Sequence, residues 1–264
     1  MSVSPFRLFQ SIARFGNALL ELESTGIHLV LGDDFLEYRC LREKVTGRSP
    51  IYPMFDAQSS YVDHTNGFWI CGFDTNGDLI HTQAVRLLEL QGMTLGEHMM
   101  LHRHKYITPD STPDPSATTF FGPRGLQTIE GRVAYHGDFW LQPKGLAGPR
   151  GNGTTAILSR MLVEVVSLAW APNYLFALVP KKLAAKGAHL RYGYVHCEPG
   201  RWIGPDQQIT DEDHLIWMSA DDLSTLMDEA TPNVGARNLP FFKRSGKTPT
   251  ENTKMVEPIK ASEV

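Results

Sequence analysis

Apolar residues recur at helical intervals near the start of the chain. Within residues 6–22 the stripe consists of Leu8, Ile12, Phe15 and Leu19, a spacing that places these side chains on one face of a helix. The pattern predicts an amphipathic helix within residues 1–25 that packs on the rest of the domain. A short apolar run at 26–31 predicts a strand, and Asp33 or Asp34 can cap the helix that follows.

A β-hairpin gives the clearest local signal in the first half. Two β-rich runs, 67–73 and 78–90, flank the dipeptide Asn76-Gly77, and both of these turn positions tolerate a positive φ. Residues 94–104 are predicted to form a short helix. Residues 107–127 are rich in proline and show no periodicity, so we expect a long loop there that either covers a site or is disordered.

Strands and helices alternate in the second half. A strand is predicted at 131–142, followed by a glycine-rich turn at 145–153 and a buried helix at 155–170. The remaining predicted elements are strands at 174–179, 189–197 and 214–219, a helical turn at 181–186 and a helix at 220–229. We therefore expect one mixed α/β domain over residues 26–230, and a disordered tail over the polar residues 231–264.

Composition narrows the classes of function. The chain has 264 residues, 25 basic and 29 acidic, and a formal net charge of -4 without long blocks of like charge, which argues against a nucleic-acid partner. Its three cysteines lie far apart without metal-ligand spacing and suit a reducing compartment. No stretch has the length of a membrane span or the pattern of a signal peptide, so we expect a cytoplasmic protein.

The glycine-rich turn is the strongest candidate for a ligand site. A strand, a glycine-rich turn and a buried helix together present free backbone N–H groups and the positive end of a helix dipole to a phosphate. The residues at that point are Arg150, Gly151, Asn152, Gly153, Thr154 and Thr155. Glycine lets the backbone approach a pyrophosphate closely, while arginine and threonine side chains add hydrogen bonds.

The order of elements and this turn resemble the GNAT (GCN5-related N-acetyltransferase) superfamily of acyltransferases. In the family's cofactor motif Arg150, Gly153 and Thr155 fill the matching places, with threonine at the last place where the family has glycine or alanine. The resemblance implies a mostly antiparallel central sheet flanked by helices, and acetyl-CoA or a longer acyl-CoA as co-substrate. It also implies that the pantetheine arm pairs along Trp140, Leu141 and Gln142, and that the thioester points into a gap between the fourth strand and the fifth.

Direct attack of an amine on that thioester requires a proton acceptor and an acid for the leaving thiolate. Alternation along the strand at 131–142 predicts that His136 and Asp138 share a face with Trp140, and either can accept the ammonium proton. Their alternative roles are a hydrogen-bonded strand histidine and a salt-bridge carboxylate. Many GNAT members carry a tyrosine acid in the helix after the fifth strand, but 181–187 has none; the candidate acids are Tyr174, and beside it Tyr192 and Tyr194.

A narrower resemblance connects the chain with acyl-homoserine-lactone synthases and related N-acyl amino acid synthases. It depends on Tyr38, Arg39, Leu41, Arg42 and Val45, and on Val85 to Leu88. In that group an arginine matched by Arg86 belongs to the substrate site, and the donor is an acyl carrier protein, which would need a basic docking patch near Arg39, Arg42 and Arg86. Glutamate and arginine expected near Asp138 to Trp140 are missing.

Three functions remain open at this level. The first is acyl transfer from acyl-CoA to the amine of a small-molecule acceptor. The second is synthesis of an N-acyl amino acid or acyl-homoserine-lactone-like product from an acyl carrier protein, and the third is a GNAT-shaped module that binds acyl-CoA without turnover. No metal is expected: His98 and His102 have a metal-binding spacing, but the glutamate of a helical metallopeptidase is missing.

Overall fold

A seven-stranded sheet forms the centre of the molecule. The computed structural model describes residues 4–109, 114–143 and 153–229, which belong to one contact unit. In the order in which they pair, with numbering in chain order, the strands are β1 (His28–Gly32), β2 (Gly67–Phe73), β3 (Leu79–Thr94), β5 (Glu130–Leu141), β6 (Tyr174–Pro180), β10 (Asp213–Ser219) and β7 (His196–Pro199). Among these neighbours β5 and β6 run parallel and the other pairs run antiparallel.

Helices cover both faces of this sheet. They are α1 (Pro5–Ser24), α2 (Phe35–Glu43), α3 (Leu95–Leu101), α4 (Arg103–Tyr106), α5 (Gly125–Thr128), α6 (Thr154–Ala169), α7 (Lys181–Ala184), α8 (Ala188–Tyr192) and α9 (Ala220–Glu229). Side chains of α2 and α3 pack into the core on one face, together with the 3₁₀ helix Pro53–Phe55. Side chains of α1, α6 and α9 pack on the other face. The chain is therefore a mixed α/β fold with a mostly antiparallel central sheet flanked by helices.

Local signals explain several element boundaries. The Asp34 carboxylate accepts a hydrogen bond from the backbone N–H of Leu36 at 2.9 Å and caps α2. Thr94 and Glu97 form a capping box at the start of α3. The predicted hairpin of β2 and β3 is present, with Gly77 at a φ of 84° in its turn. These boundaries follow from the sequence because each signal acts within a few residues.

Two predicted segments differ from the structure. Part of the predicted loop at 107–127 forms β4 (Thr119–Phe121), which pairs with β8 (Arg201–Ile203); β9 (Ile209–Asp211) completes this second, three-stranded sheet. The predicted strand at 189–197 instead contains α8, bounded by Gly187 and Gly193 at positive φ, and β7 begins at His196. The loop prediction failed because the partner of β4 lies about 80 residues away, and α8 is too short to show a helical period.

Strands β5 and β6 pair over a short length. Their register joins Val133, Ala134 and Tyr135 to residues 174–176. Beyond this point β5 stays paired with β3 as far as Leu141, and β6 stays paired with β10 as far as Pro180. Because each strand follows its other neighbour, the two diverge and leave a gap in the middle of the sheet.

Helix α1 contacts α6 through charged side chains. The Arg14 guanidinium donates to the Glu164 carboxylate, and both side chains are largely buried. An exposed ion pair joins Arg7 to Asp228 on α9. No helix among the described residues has the length and apolar character needed to cross a membrane. The tail predicted at 231–264 lies outside the described residues.

Candidate active site in the gap of the sheet

The gap between β5 and β6 holds a cavity of 330 Å³. Its walls are residues 136–140 of β5, residues 177–180 of β6, Leu183, Tyr192, and the segment after α2 that contains Arg48, Ser49 and Tyr52. Since the strands are apart here, the cavity opens toward both helical layers. The edge of β5 that faces β6 has no strand partner beyond Tyr135 among the described residues, so its backbone can pair with an extended ligand.

A β-bulge in β5 decides which side chains face which layer. Asp138 and Phe139 together oppose one residue of β3, Gln83, and Asp138 has a φ of 51°, the geometry of an extra residue inserted into a strand. The alternation prediction that put His136 and Asp138 on one face with Trp140 is therefore wrong. His136 and Phe139 face the α6 layer, where Phe139 packs on Tyr192.

Asp138 is the centre of a buried charge cluster on the α2 side. Its carboxylate accepts hydrogen bonds from the Tyr38 hydroxyl, from Arg42 Nη2 at 3.0 Å and from Arg48 Nη2 at 2.7 Å. The Asp138 side chain is 2% exposed. A carboxylate that accepts hydrogen bonds from two guanidinium groups and a hydroxyl has its lone pairs occupied. Asp138 therefore takes the salt-bridge role left open for it, and the proton-acceptor role is withdrawn.

Arg48 connects this cluster to the cavity. Its Nη1 donates to Thr82 Oγ1 at 2.8 Å, and its guanidinium lies 4.7 Å from the centre of the Trp140 ring, a cation–π contact. Arg48 also lines the cavity. No motif or periodicity marks Arg48, because it stands alone in an irregular segment 90 residues before Asp138.

His136 borders the cavity as a neutral imidazole. Its Nδ1 shares a hydrogen bond with the Tyr194 hydroxyl at 3.0 Å, while its buried Nε2 has no hydrogen-bond partner among the described residues. Burial lowers the pKa of His136 to about 3, because a charged imidazole would lose its hydration. Accepting the ammonium proton, the role predicted for His136, therefore does not fit this burial.

Tyr192 and Tyr52 line the cavity, whereas Tyr174, the tyrosine predicted as the acid, does not. Tyr174 begins β6 where that strand is still paired with β5, and its ring packs on Trp217. It does not line the cavity. Tyr192 does line it, as the last residue of α8, the second short helix after β6. This position was missed because 189–197 was predicted to be a strand.

Arg86 has a structural role that excludes the predicted substrate contact. Its guanidinium donates to the carbonyl oxygens of Met54 at 2.9 Å and Tyr61 at 2.6 Å, and the residue is 8% exposed. It is not among the residues that line the cavity. Arg42 is also buried, at 2% exposed. Of the three arginines expected in a basic docking patch for an acyl carrier protein, Arg42 and Arg86 are therefore buried and Arg39 is partly exposed.

The predicted phosphate turn is partly described. Gly153 precedes α6 with a φ of 77°, and no described atom lies within 4 Å of the place where a Cβ would stand. Thr154 is buried and Thr155 is partly exposed in the first turn of α6. Arg150, Gly151 and Asn152 lie outside the described residues. On β5, Trp140 lines the cavity, Leu141 is buried in the core, and the Gln142 N–H donates to the Ile80 carbonyl at 2.9 Å.

Metal ligands do not cluster in the described part of the chain. No group of three histidine, cysteine, aspartate or glutamate side chains there could hold an ion. His98, one of the pair with metal-binding spacing, shares a hydrogen bond with the Tyr106 hydroxyl at 2.7 Å through Nδ1.

The mostly antiparallel sheet flanked by helices and the gap within it are the features that the resemblance to the GNAT superfamily implies, and the fold is consistent with the GNAT type. No protein-family profile matches the chain, and no curated protein sequence matches it. Solved structures are similar to it. One is NAA60 of Arabidopsis thaliana in complex with acetyl-CoA, with 12% identity, 74% of this chain and 99% of that chain covered, and a TM-score of 0.44.

Two further similar structures come from bacteria or soil samples. FeeM, an N-acyl amino acid synthase from uncultured soil microbes, has 12% identity, with 75% of this chain and 98% of that chain covered and a TM-score of 0.40. A variant of the spermidine N-acetyltransferase SpeG from Vibrio cholerae has 9% identity, with 75% and 96% covered and a TM-score of 0.40. At this level of likeness neither substrates nor residue roles carry over.

Proposed function

We propose that this protein is an N-acyltransferase that moves an acyl group from acyl-CoA to the amine of a small molecule. The cavity in the gap between β5 and β6 is the observation that supports the proposal most strongly. A parallel strand pair that opens after three residues exposes unpaired backbone inside a sheet, which is costly unless a ligand or water pairs with it. An extended pantetheine arm along β5 fits that requirement.

Different residues around the gap bind the cofactor and donate the proton to the leaving thiolate. The N-terminus of α6, with Gly153, Thr154 and Thr155, receives the diphosphate, and Arg150, Gly151 and Asn152 of the same sequence motif are proposed as further ligands of it. Acyl-CoA supplies the activated carbonyl. One C–N bond forms and one C–S bond breaks, while a proton leaves the amine and a proton reaches the thiolate. Tyr192 donates the second of these protons from the end of α8.

The proton on the amine is not taken by a resting protein base. His136 has a pKa lowered to about 3 by burial, and Asp138 is occupied by two arginines. The acceptor therefore reacts as the free amine, oriented by His136 Nε2, and its proton leaves through water in the cavity. We expect kcat/KM to increase with pH up to the pKa of the acceptor amine itself, without an inflection near pH 6 to 7.

Ligand binding tests the proposal directly. A ligand at about 100 times its Kd adds roughly 2.7 kcal/mol to the free energy of unfolding, so CoA, acetyl-CoA and longer acyl-CoAs should raise Tm. Ala177→Phe should abolish this shift by filling the gap, because Ala177 lines the cavity. Ala185→Phe is the matched control at an exposed site. Absence of a shift with every thioester and with CoA would refute the proposal.

The acyl-CoA-binding module remains the alternative from another class. It predicts the same thermal shift without release of CoA thiol for any amine. An acyl carrier protein as donor would carry the same pantetheine arm, and replacing acyl-CoA by acyl carrier protein in the thiol-release assay distinguishes these two donors.

A further inference from the structure

We propose that the acceptor carries a carboxylate as well as its amine, and that Arg48 binds this carboxylate. The inference rests on the proposed acyl transfer and names the chemical class of its acceptor. It follows from the charges that surround the cavity on the α2 side.

The cluster around Asp138 contains more positive than negative charge. Arg42, Asp138 and Arg48 side chains are 2%, 2% and 10% exposed, so two guanidinium groups share one buried carboxylate. Tyr38 contributes a neutral hydroxyl, because burial and the Asp138 charge raise its pKa well above the usual value. One positive charge is left without a buried counter-ion.

Neighbouring acids in the described part of the chain do not supply that counter-ion. Glu37 on α2 is exposed and forms no ion pair with either arginine. Asp56 and Glu43 pair with Arg39. Asp213 accepts from the indole N–H of Trp202 at 2.8 Å, and Glu212 pairs with Lys181. The excess charge therefore stays at the wall of the cavity.

An excess charge of this kind favours an anionic ligand. Burying a charge without a partner costs several kcal/mol, and an anion entering the cavity would offset that cost. Of the two arginines, Arg48 lines the cavity and Arg42 does not. Its guanidinium plane is already fixed against Trp140 and Thr82, so little side-chain entropy is lost when a carboxylate binds.

The position of Arg48 assigns the anion to the acceptor. The phosphates of CoA are expected at the N-terminus of α6, in the layer on the other face of the sheet. Arg48 approaches the gap from the α2 side, together with Ser49 and Tyr52. A compound whose amine reaches the gap from this side places its remaining polar group beside Arg48.

Matched pairs of amines test the inference. Leucine against isopentylamine, and tyrosine against tyramine, have the same side chain and differ in the carboxylate and, through it, in the pKa of the amine, so each kcat/KM is expressed per concentration of free amine. With acetyl-CoA and a longer acyl-CoA as donors, release of CoA thiol should show a kcat/KM roughly 10- to 100-fold higher for the carboxylated member, the size of one charge-assisted contact. Arg48→Met should reduce this ratio to near one.

Arg48→Met leaves Asp138 paired with Arg42 alone, a balanced pair, so the fold should be retained. Its Tm shift with CoA should match that of the unaltered protein. Arg48→Lys should recover part of the ratio, and Arg39→Met, on the same side but paired with Glu43, should leave the ratio unchanged.

The outcomes separate the two proposals. No Tm shift with CoA and no turnover would overturn the acyltransferase itself. Turnover of both members of each pair at similar kcat/KM, or an undiminished ratio in Arg48→Met, would overturn the carboxylate site while leaving acyl transfer standing. A CoA shift without turnover of any amine in the panel would overturn both the carboxylate site and the enzymatic function.

Discussion

Burial sets the chemistry of individual side chains around the gap. His136 is neutral because a charged imidazole would be desolvated, and the Asp138 carboxylate is held by hydrogen bonds from two guanidinium groups. Both residues lie on the same strand within three positions of each other. Burial and hydrogen-bond partners, and not residue type alone, therefore decide whether either group is available to accept a proton.

The hydroxyl of Tyr192 should be needed for turnover. Tyr192→Phe removes the proposed acid, and we expect kcat to fall by roughly 100-fold or more while the Tm shift with CoA is retained. Thiol release and thermal shift measure the two effects. Tyr174→Phe, at the paired end of β6, is the control and should keep its kcat; equal losses in both variants would contradict the assignment.

Asp213 should make the stability depend on pH. Burial raises the pKa of this carboxyl to about 6, from about 4 in the unfolded chain, so the folded protein is penalised as pH increases from 4 to 6. Asp213→Asn removes the charge and keeps an acceptor for Trp202. Its free energy of unfolding should exceed that of the unaltered protein by about 2–3 kcal/mol above pH 6, with no gain near pH 4, in urea titrations.

Asp222 should affect the stability with the opposite dependence on pH. Burial by itself raises the pKa of Asp222, but hydrogen bonds from the backbone N–H and hydroxyl of Ser219, at 2.8 Å each, outweigh it and lower the pKa overall. Asp222→Asn should therefore destabilise the protein, and more at pH 7 than at pH 3.

For Asp213→Asn, a gain in the free energy of unfolding that does not change with pH would contradict the burial argument.

At the scale of elements, β5 contributes both to the packing of the core and to the geometry of the site. Gly137 precedes the bulge, and a Cβ there would lie 2.7 Å from the Phe55 ring, so glycine is needed for Phe55 to pack on Tyr135. The following bulge turns Asp138 toward α2. The strand thereby joins the α2 layer to the gap through one ion cluster.

Removing the Asp138 carboxylate from this cluster should strongly destabilise the protein. Asp138→Ala leaves Arg42 and Arg48 buried without a counter-ion, and we expect a loss of about 3–5 kcal/mol in the free energy of unfolding, measured with urea. Glu43→Ala breaks an exposed pair with Arg39 on the same helix and should change stability little. A similar small change in both variants would mean that the cluster is well hydrated.

At the scale of the whole molecule, α1 is attached to the sheet through α6. The pair Arg14–Glu164 is buried, and the pair Arg7–Asp228 is exposed. Apolar residues of α1 that face outward, including Phe6, Ile12 and Leu20, are more than half exposed. The inner face of α1, with Leu22, joins the core that contains Leu158 and Met161 of α6.

The two ion pairs of α1 should differ in their contribution to stability. Arg14→Ala leaves the buried Glu164 carboxylate, whose side chain is 5% exposed, without its ion-pair partner. It should lower the free energy of unfolding by about 3–5 kcal/mol. Arg7→Ala is the matched control on the same helix and should have a small effect. Tm and urea unfolding of both variants measure the difference; equal effects would show that α1 is held by its apolar face alone.

The sequence alone determined the elements whose signals are local. The N-terminal helix, the hairpin at Asn76-Gly77, the cap at Asp34, the strand that ends at Leu141 and the helix that follows Gly153 are encoded within a few neighbouring residues, by periodicity, caps and turn residues. The resemblance that these elements carried was sufficient to predict the gap in the sheet.

Only the tertiary structure decided how side chains are arranged at that gap. The bulge depends on the pairing of β5 with β3, the Asp138 cluster joins residues 90 and 96 positions apart, and α8 is too short to show a period. Such features depend on contacts between distant segments, and the energies of these contacts, burial and charge pairing, are set only when the segments meet.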